Sequence, residues 1–182
     1  LMETDPISGP SFFGRDELLL ALEKRTQAFL NGYRQNVGLV GKKGVGKSSL
    51  ILHFLSRLDD KSLIAIYLEV QPEPLDAFAQ KFMAAVLAGG LKTRGEDVPQ
   101  DFNTIVLRGK RYFPRTLARM REIRAKLARS EWNAAFQELV GLTQQLREES
   151  GKKVLLALDN FDLLEDLGFH DAFHKFGKAM ML

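Results

Sequence analysis

The 182-residue chain contains no cysteine. Without thiols there is neither a disulfide framework nor a thiolate metal site, a composition that fits a reducing compartment. No apolar run approaches the roughly 18 residues that a bilayer-spanning helix needs, and the first residues lack the apolar core of a signal peptide. The expected location is therefore the cytoplasm, with no membrane partner. Histidine is scarce too, at three residues. His170 and His174 share a helical face in His170-Asp171-Ala172-Phe173-His174. Aspartate stands where a zinc-binding His-Glu-x-x-His has glutamate, and no third ligand is evident, so the match is poor. His53 lies among helix residues and reads as structural, and the single tryptophan, Trp132, reads as a core residue. Length and composition otherwise fit about one ordinary globular domain.

What is present centres on Gly41-Lys42-Lys43-Gly44-Val45-Gly46-Lys47-Ser48, a glycine, four residues, then Gly-Lys-Ser. Such a loop cradles a polyphosphate, because glycines at positive φ let successive backbone N–H groups converge on one anion. Lys47 is placed to reach the β- and γ-phosphates, and the Ser48 hydroxyl to hold Mg²⁺. The helix that starts here, with Ser49 next in line, adds its positive end. The alternative is a glycine-rich turn with no ligand, but the context opposes it. Residues 36–40 read as a buried strand before the loop, and Leu50, Ile51, Phe54, Leu55 and Leu58 after it recur at helical spacing.

Residues 1–11 read as a tail and 12–182 as the folded domain. A first helix runs from Phe12 to about Asn31, with Leu18, Leu19, Leu22, Thr26, Phe29 and Leu30 on its buried stripe and Gly32 closing it. After the loop helix, residues 62–70 read as a second parallel strand. Pro72 and Pro74 introduce a helix striped by Leu75, Phe78, Phe82, Met83, Val86 and Leu87, which Gly89-Gly90 are expected to end. Residues 91–100 read as polar and mobile, and 101–113 as ambiguous. A helix at 115–129 carries the narrow apolar stripe Leu117, Met120, Ile123 and Leu127, and one at 131–147 packs through Phe136, Leu139, Val140 and Leu146. The alternation implies a parallel sheet covered on both faces.

The net charge of +3 is unevenly spread: residues 91–130 hold eleven Lys or Arg against four Asp or Glu, and the remainder sums to −4. This region, about 91–130, reads as a basic helical insertion. Arg115, Arg119, Arg121 and Arg124 on it either form a surface for nucleic acid or another polyanion, or are solvated arginines paired with carboxylates elsewhere.

Val154-Leu155-Leu156-Ala157-Leu158-Asp159 is an apolar run ending in an aspartate. A buried parallel strand delivers its last residue to the carboxyl edge of the sheet, where ligands bind, so Asp159 is the candidate magnesium carboxylate of a Walker B strand. Asn160 follows, and Asp162 stands two residues further, either as a second carboxylate or as a cap for the next helix.

Phe12-Phe13-Gly14-Arg15-Asp16-Glu17, an amphipathic helix, a strand and the Gly-Lys-Ser-Ser loop together resemble the start of AAA+ and STAND-type P-loop ATPases, including initiator-like members. The resemblance implies a three-layer α/β/α fold and ATP with Mg²⁺ as ligands, there being no Asn-Lys-x-Asp guanine-reading motif. It also implies Phe13 and Arg15 as base-side contacts, although core packing and a surface ion pair account for these residues equally well. Cofactor contacts are expected from Gly41, Lys42, Lys43, Gly44, Val45, Gly46, Lys47, Ser48 and Ser49, and catalysis from Lys47, Asp159, Asn160 and Asp162. In AAA+ enzymes a glutamate usually follows the Walker B aspartate. Asn160 can position water but cannot accept its proton, so slow turnover is expected, or a switch module that hardly hydrolyses. Protein partners or self-assembly are implied. So are a further central strand, a sensor residue and a trans-acting arginine beyond Leu182, which would leave the domain incomplete on its C-terminal side.

Overall fold

The computed structural model describes residues 15–33 and 36–167, and the chain divides after Asp60 into two compact units. Phe12, Phe13 and the helix expected to carry His170 and His174 lie outside the described residues.

In the first unit, α1 spans Asp16–Leu30, with Asp16 and Glu17 in its first turn, where carboxylates complement the positive end of the helix. Gly32, at φ 99°, closes it, its N–H donating to the Phe29 carbonyl at 3.0 Å. Leu19 and Thr26 are buried, while Leu18 is exposed. Leu18 stands about 100° around the helix from Leu19 and so leaves the expected stripe. Helix α2 spans Lys47–Ser56 and buries Leu50 and Phe54. It packs on α1, and Arg57 just after it pairs with Glu23 at 3.0 Å.

Residues 36–40 are a correction: they form no strand, and Val40 is 99% exposed. A strand is held by hydrogen bonds to a neighbouring strand, and among the described residues these five have none. The apolar run supplies the side chains of a strand but not its partner.

The second unit contains a two-stranded parallel sheet, β1 (Leu63–Glu69) beside β2 (Lys153–Asp159), in register from Leu63 opposite Lys153 to Glu69 opposite Asp159. Parallel neighbours need a long crossover, and four helices supply it: α3 (Leu75–Lys92), α4 (Phe102–Gly109), α5 (Pro114–Ala128) and α6 (Trp132–Ser150). Helix α3 packs on β1, α4 and α6; α5 packs on α6; α6 also packs on β2. Their apolar stripes merge into one core that includes Phe78, Phe82, Phe113, Ile123, Phe136 and Leu139. The residues of the basic region are part of it through Ile105, Leu117 and Met120.

Gly89 and Gly90 do not end α3, which continues to Lys92. They are packing residues. A Cβ on Gly89 would lie 2.9 Å from Ile66 Cγ1, and one on Gly90 2.7 Å from Phe113 Cε2. The stretch after them is better anchored than its polarity suggests. Leu91 is fully buried, Arg94 lies over the Tyr112 and Phe113 rings, and Tyr112 donates to Glu96 at 2.6 Å. The ambiguous segment becomes α4 because Asp101 caps it, its carboxylate accepting from the Thr104 backbone N–H at 2.8 Å and hydroxyl at 2.7 Å. These bonds hold the Asp101 carboxyl below its ordinary range. Trp132, expected in the core, is 43% exposed at the start of α6. A single-turn α7 (Leu163–Asp166) follows β2.

Candidate functional site

The candidate residues fall into two groups, one in each unit. The first is the glycine loop. Gly44 and Gly46 both take φ 81°, which β-carbon-bearing residues adopt only with strain. Gly46 is the residue from which α2 springs. Beyond it lie Lys47, Ser48 and Ser49, in the first turn of α2, where backbone N–H groups point out of the helix start. A Cβ on Gly41 would sit 3.3 Å from Val45 Cγ2, so the loop is close-wound at that point.

The Lys47 ammonium folds back over the loop, donating to the Gly41 carbonyl at 2.8 Å and the Lys42 carbonyl at 3.0 Å. A cation held there by two neutral carbonyls can exchange them for phosphate oxygens, which bind it more strongly. Arg15 approaches from the start of α1. Its guanidinium donates to the Val45 carbonyl and, at 3.4 Å, to the Gly46 carbonyl, and its own backbone is left-handed at φ 65°. Arg15 therefore braces the loop through two backbone carbonyls. Lys42, Lys43, Gly44 and Val45 form the exposed rim of the loop.

The second group stands at the carboxyl edge of the sheet in the second unit. Asp159, the last residue of β2, is 4% exposed. Its Oδ2 accepts from the Tyr67 hydroxyl at 3.0 Å and its Oδ1 from the Asn160 backbone N–H at 3.0 Å. Burial, the bond to Asp159, and the charges of Asp159 and Glu69 push the Tyr67 hydroxyl pKa up. An ionised carboxylate has about four acceptor sites, so Asp159 keeps capacity for another ligand after these two bonds.

Asn160 sits at φ 52°, a conformation that asparagine tolerates better than most residues. Its amide is thereby turned toward β1, donating from Nδ2 to Glu69 Oε1 at 3.2 Å. Glu69 also accepts from Gln71 at 3.4 Å, Gln71 accepts from Lys81 at 3.3 Å, and Lys81 pairs with Glu73 at 2.9 Å. Glu69 is the residue that the sequence reading missed. The available signal was its place as last residue of the strand paired with β2, opposite Asp159. Asp162 precedes α7, exposed, and makes no side-chain capping bond, so the capping role does not apply to it.

No group of three or more His, Asp or Glu residues among the described residues could cage a metal ion. Magnesium does not require one, since it keeps waters and takes one or two protein oxygens plus substrate phosphates. In the first unit the Ser48 hydroxyl is a hard oxygen donor of the kind it accepts, and a Cβ at Gly44 would meet nothing within 4 Å, so the loop is open there; in the second unit the Asp159 carboxylate is a donor of the same kind. Taken unit by unit, these side chains are of the chemical type that a magnesium–nucleotide ligand uses.

Among the residues of the basic region, Arg115 lies 3.9 Å from Glu148 and Arg119 3.4 Å from Glu138, whereas Arg121 and Arg124 are exposed on the other side of α5. No described helix is long and apolar enough to cross a membrane.

A family model described as an AAA ATPase domain matches residues 11–171 of the chain. No curated protein and no solved structure matches it.

Proposed function

Since the chain belongs to the AAA ATPase domain family, whose members bind and hydrolyse a nucleoside triphosphate, we propose that it binds Mg-ATP and hydrolyses it slowly to switch the conformation of a larger protein or assembly of the STAND kind. The observation that carries this reading is the wound loop with the Lys47 ammonium held over its own carbonyls. In that role Lys47 and the loop N–H groups from Gly44 to Ser49 neutralise the β- and γ-phosphates, and Gly41 and Gly46 let the backbone approach them. Lys42, Lys43 and Val45 shape the rim. Arg15 fixes the loop through Val45 and Gly46, on the side assigned with Phe13 to the base. Ser48 and Asp159 are the oxygen ligands assigned to magnesium, and Tyr67 orients the Asp159 carboxylate. When bound, the metal offsets negative charge on the phosphates as it builds toward the transition state.

Asn160 orients water through its amide but takes no proton. The carboxylate that can do so is the one its amide holds, Glu69, with Asp162 as the other candidate nearby in sequence. A proton accepted by Glu69 would pass from the attacking water as its oxygen bonds to phosphorus. The ADP oxygen would then leave with the electron pair of the broken bond.

Lys47→Ala is expected to weaken ATP binding by at least about tenfold, read by titration of a fluorescent ATP analogue. Undiminished affinity in that variant removes the basis of the reading. A second reading, a nucleotide-dependent switch with little hydrolysis, is favoured by Asn160 itself. Brisk turnover of the wild-type chain would rule it out, and a rise in turnover in Asn160→Glu is expected under it.

A further inference from the structure

We propose that the slot between α4 and α5 is a docking site for a short acidic amphipathic segment of a partner protein. Phe102 and Val106 of α4 and Lys110, the residue just past its end, stand at intervals of four, and Leu117, Met120, Arg121 and Arg124 form one stripe of α5; the two stripes line a shallow slot. Its floor is phenyl, isopropyl, isobutyl and thioether, and its rim is three cations. No carboxylate lines it.

The charge on the rim is what sets this slot apart. Nine lysines and arginines lie between residues 108 and 129, and six are engaged within the fold. Arg108 donates to the Asp97 carbonyl, and Arg111 lies over the Tyr112 ring. Arg115 pairs with Glu148, Arg119 and Lys126 share Glu138, and Arg129 pairs with Glu131. The three left without a side-chain partner among the described residues are Lys110, Arg121 and Arg124, which are the three on the slot. Unneutralised cations gathered around an apolar floor complement carboxylates gathered around an apolar anchor. A nucleic acid would instead draw on a continuous run of cations following its phosphates, and the residues that would extend such a run, Arg115, Arg119, Lys126 and Arg129, are paired with glutamates. From Phe102 to Lys110 the α4 stripe spans about 12 Å, the length of about two turns of a bound helix. None of these residues belongs to the nucleotide assignment, so the proposal stands apart from it.

The test uses the full chain without nucleotide and a fluorescein-labelled helical peptide of about 12 residues, with leucine at every third or fourth position and aspartate or glutamate between, at about 0.1 M salt. Fluorescence anisotropy should show saturable binding, weakened at least about tenfold by Arg121→Glu with Arg124→Glu and at least about tenfold when the peptide leucines become alanine. The milder pair Arg121→Gln with Arg124→Gln should weaken it in the same direction, and thermal melts of both variants should match the wild type. The proposal is overturned if no binding is seen, if the leucine-free peptide binds as tightly, or if both variants bind as the wild type does. Tighter binding of a duplex DNA oligonucleotide, lost in the same variants, would also overturn it and make this face a nucleic-acid surface.

Discussion

Asn160 is an asparagine in left-handed backbone whose amide is committed to Glu69, and the proton transfer of the proposed reaction turns on that pair. If Glu69 accepts the proton, Glu69→Gln should lower turnover about 100-fold or more while leaving affinity for the ATP analogue near wild type. Turnover equal to wild type would shift the role to Asp162 or to water alone. Tyr67 gives a second expectation at the same edge. Its folded pKa is raised above the ordinary 10.0, so above that pH the unfolded chain releases the phenolic proton while the folded chain retains it. The stability due to this group is complete below pH 10.0 and declines as the pH rises beyond it. Tyr67→Phe should flatten the alkaline limb of a urea-midpoint profile measured against pH.

Among the elements, α3 depends on having no side chain at two positions. Gly89 and Gly90 let it lie against Ile66 of β1 and the Phe113 ring closer than any Cβ permits. Gly90→Ala gains about 1 kcal/mol of helix propensity, but it forces a β-carbon into the ring, and overpacking of this kind costs about 1–3 kcal/mol. Its melting temperature should fall, whereas the same change at an exposed helical glycine would raise it. Helix α4 is a short element whose start rests on Asp101. Because the Asp101 carboxyl is held below its ordinary 3.8, capping is fully present above that pH and is lost as acid titrates the folded carboxyl. Faster hydrogen exchange at the Thr104 amide in Asp101→Ala, at neutral pH, would be the direct readout.

At the scale of the molecule, the second unit has one core to which both strands and helices α3 to α6 contribute, so it should unfold as one transition. Phe136→Ala, at a position 1% exposed, is expected to cost about 3–5 kcal/mol and to lower the urea midpoint read by the fluorescence of Trp132, which stands in this unit. Different urea midpoints for amide exchange in α3 and in α6 would contradict the single core. The surplus of positive charge is spread over this unit unevenly: the glutamates Glu131, Glu138 and Glu148 absorb one flank of α5, and the slot beside α4 is left with the remainder.

The glycine loop, the strand ending at Asp159 and most of the helices could be read from the chain alone, because each is written in local spacing: glycines before a lysine, an unbroken apolar run, apolar residues recurring near every fourth position. What depended on a neighbour needed the packed chain. The run at 36–40 has strand-forming side chains but no ladder among the described residues. Gly89 and Gly90 look like terminators until a ring and a strand are packed on them. Glu69 is an ordinary end-of-strand glutamate until β2 is laid beside it and brings Asn160 to its carboxylate. Local propensity acts within a few residues, whereas a hydrogen-bond ladder, a close approach or a shared carboxylate joins residues up to 92 positions apart.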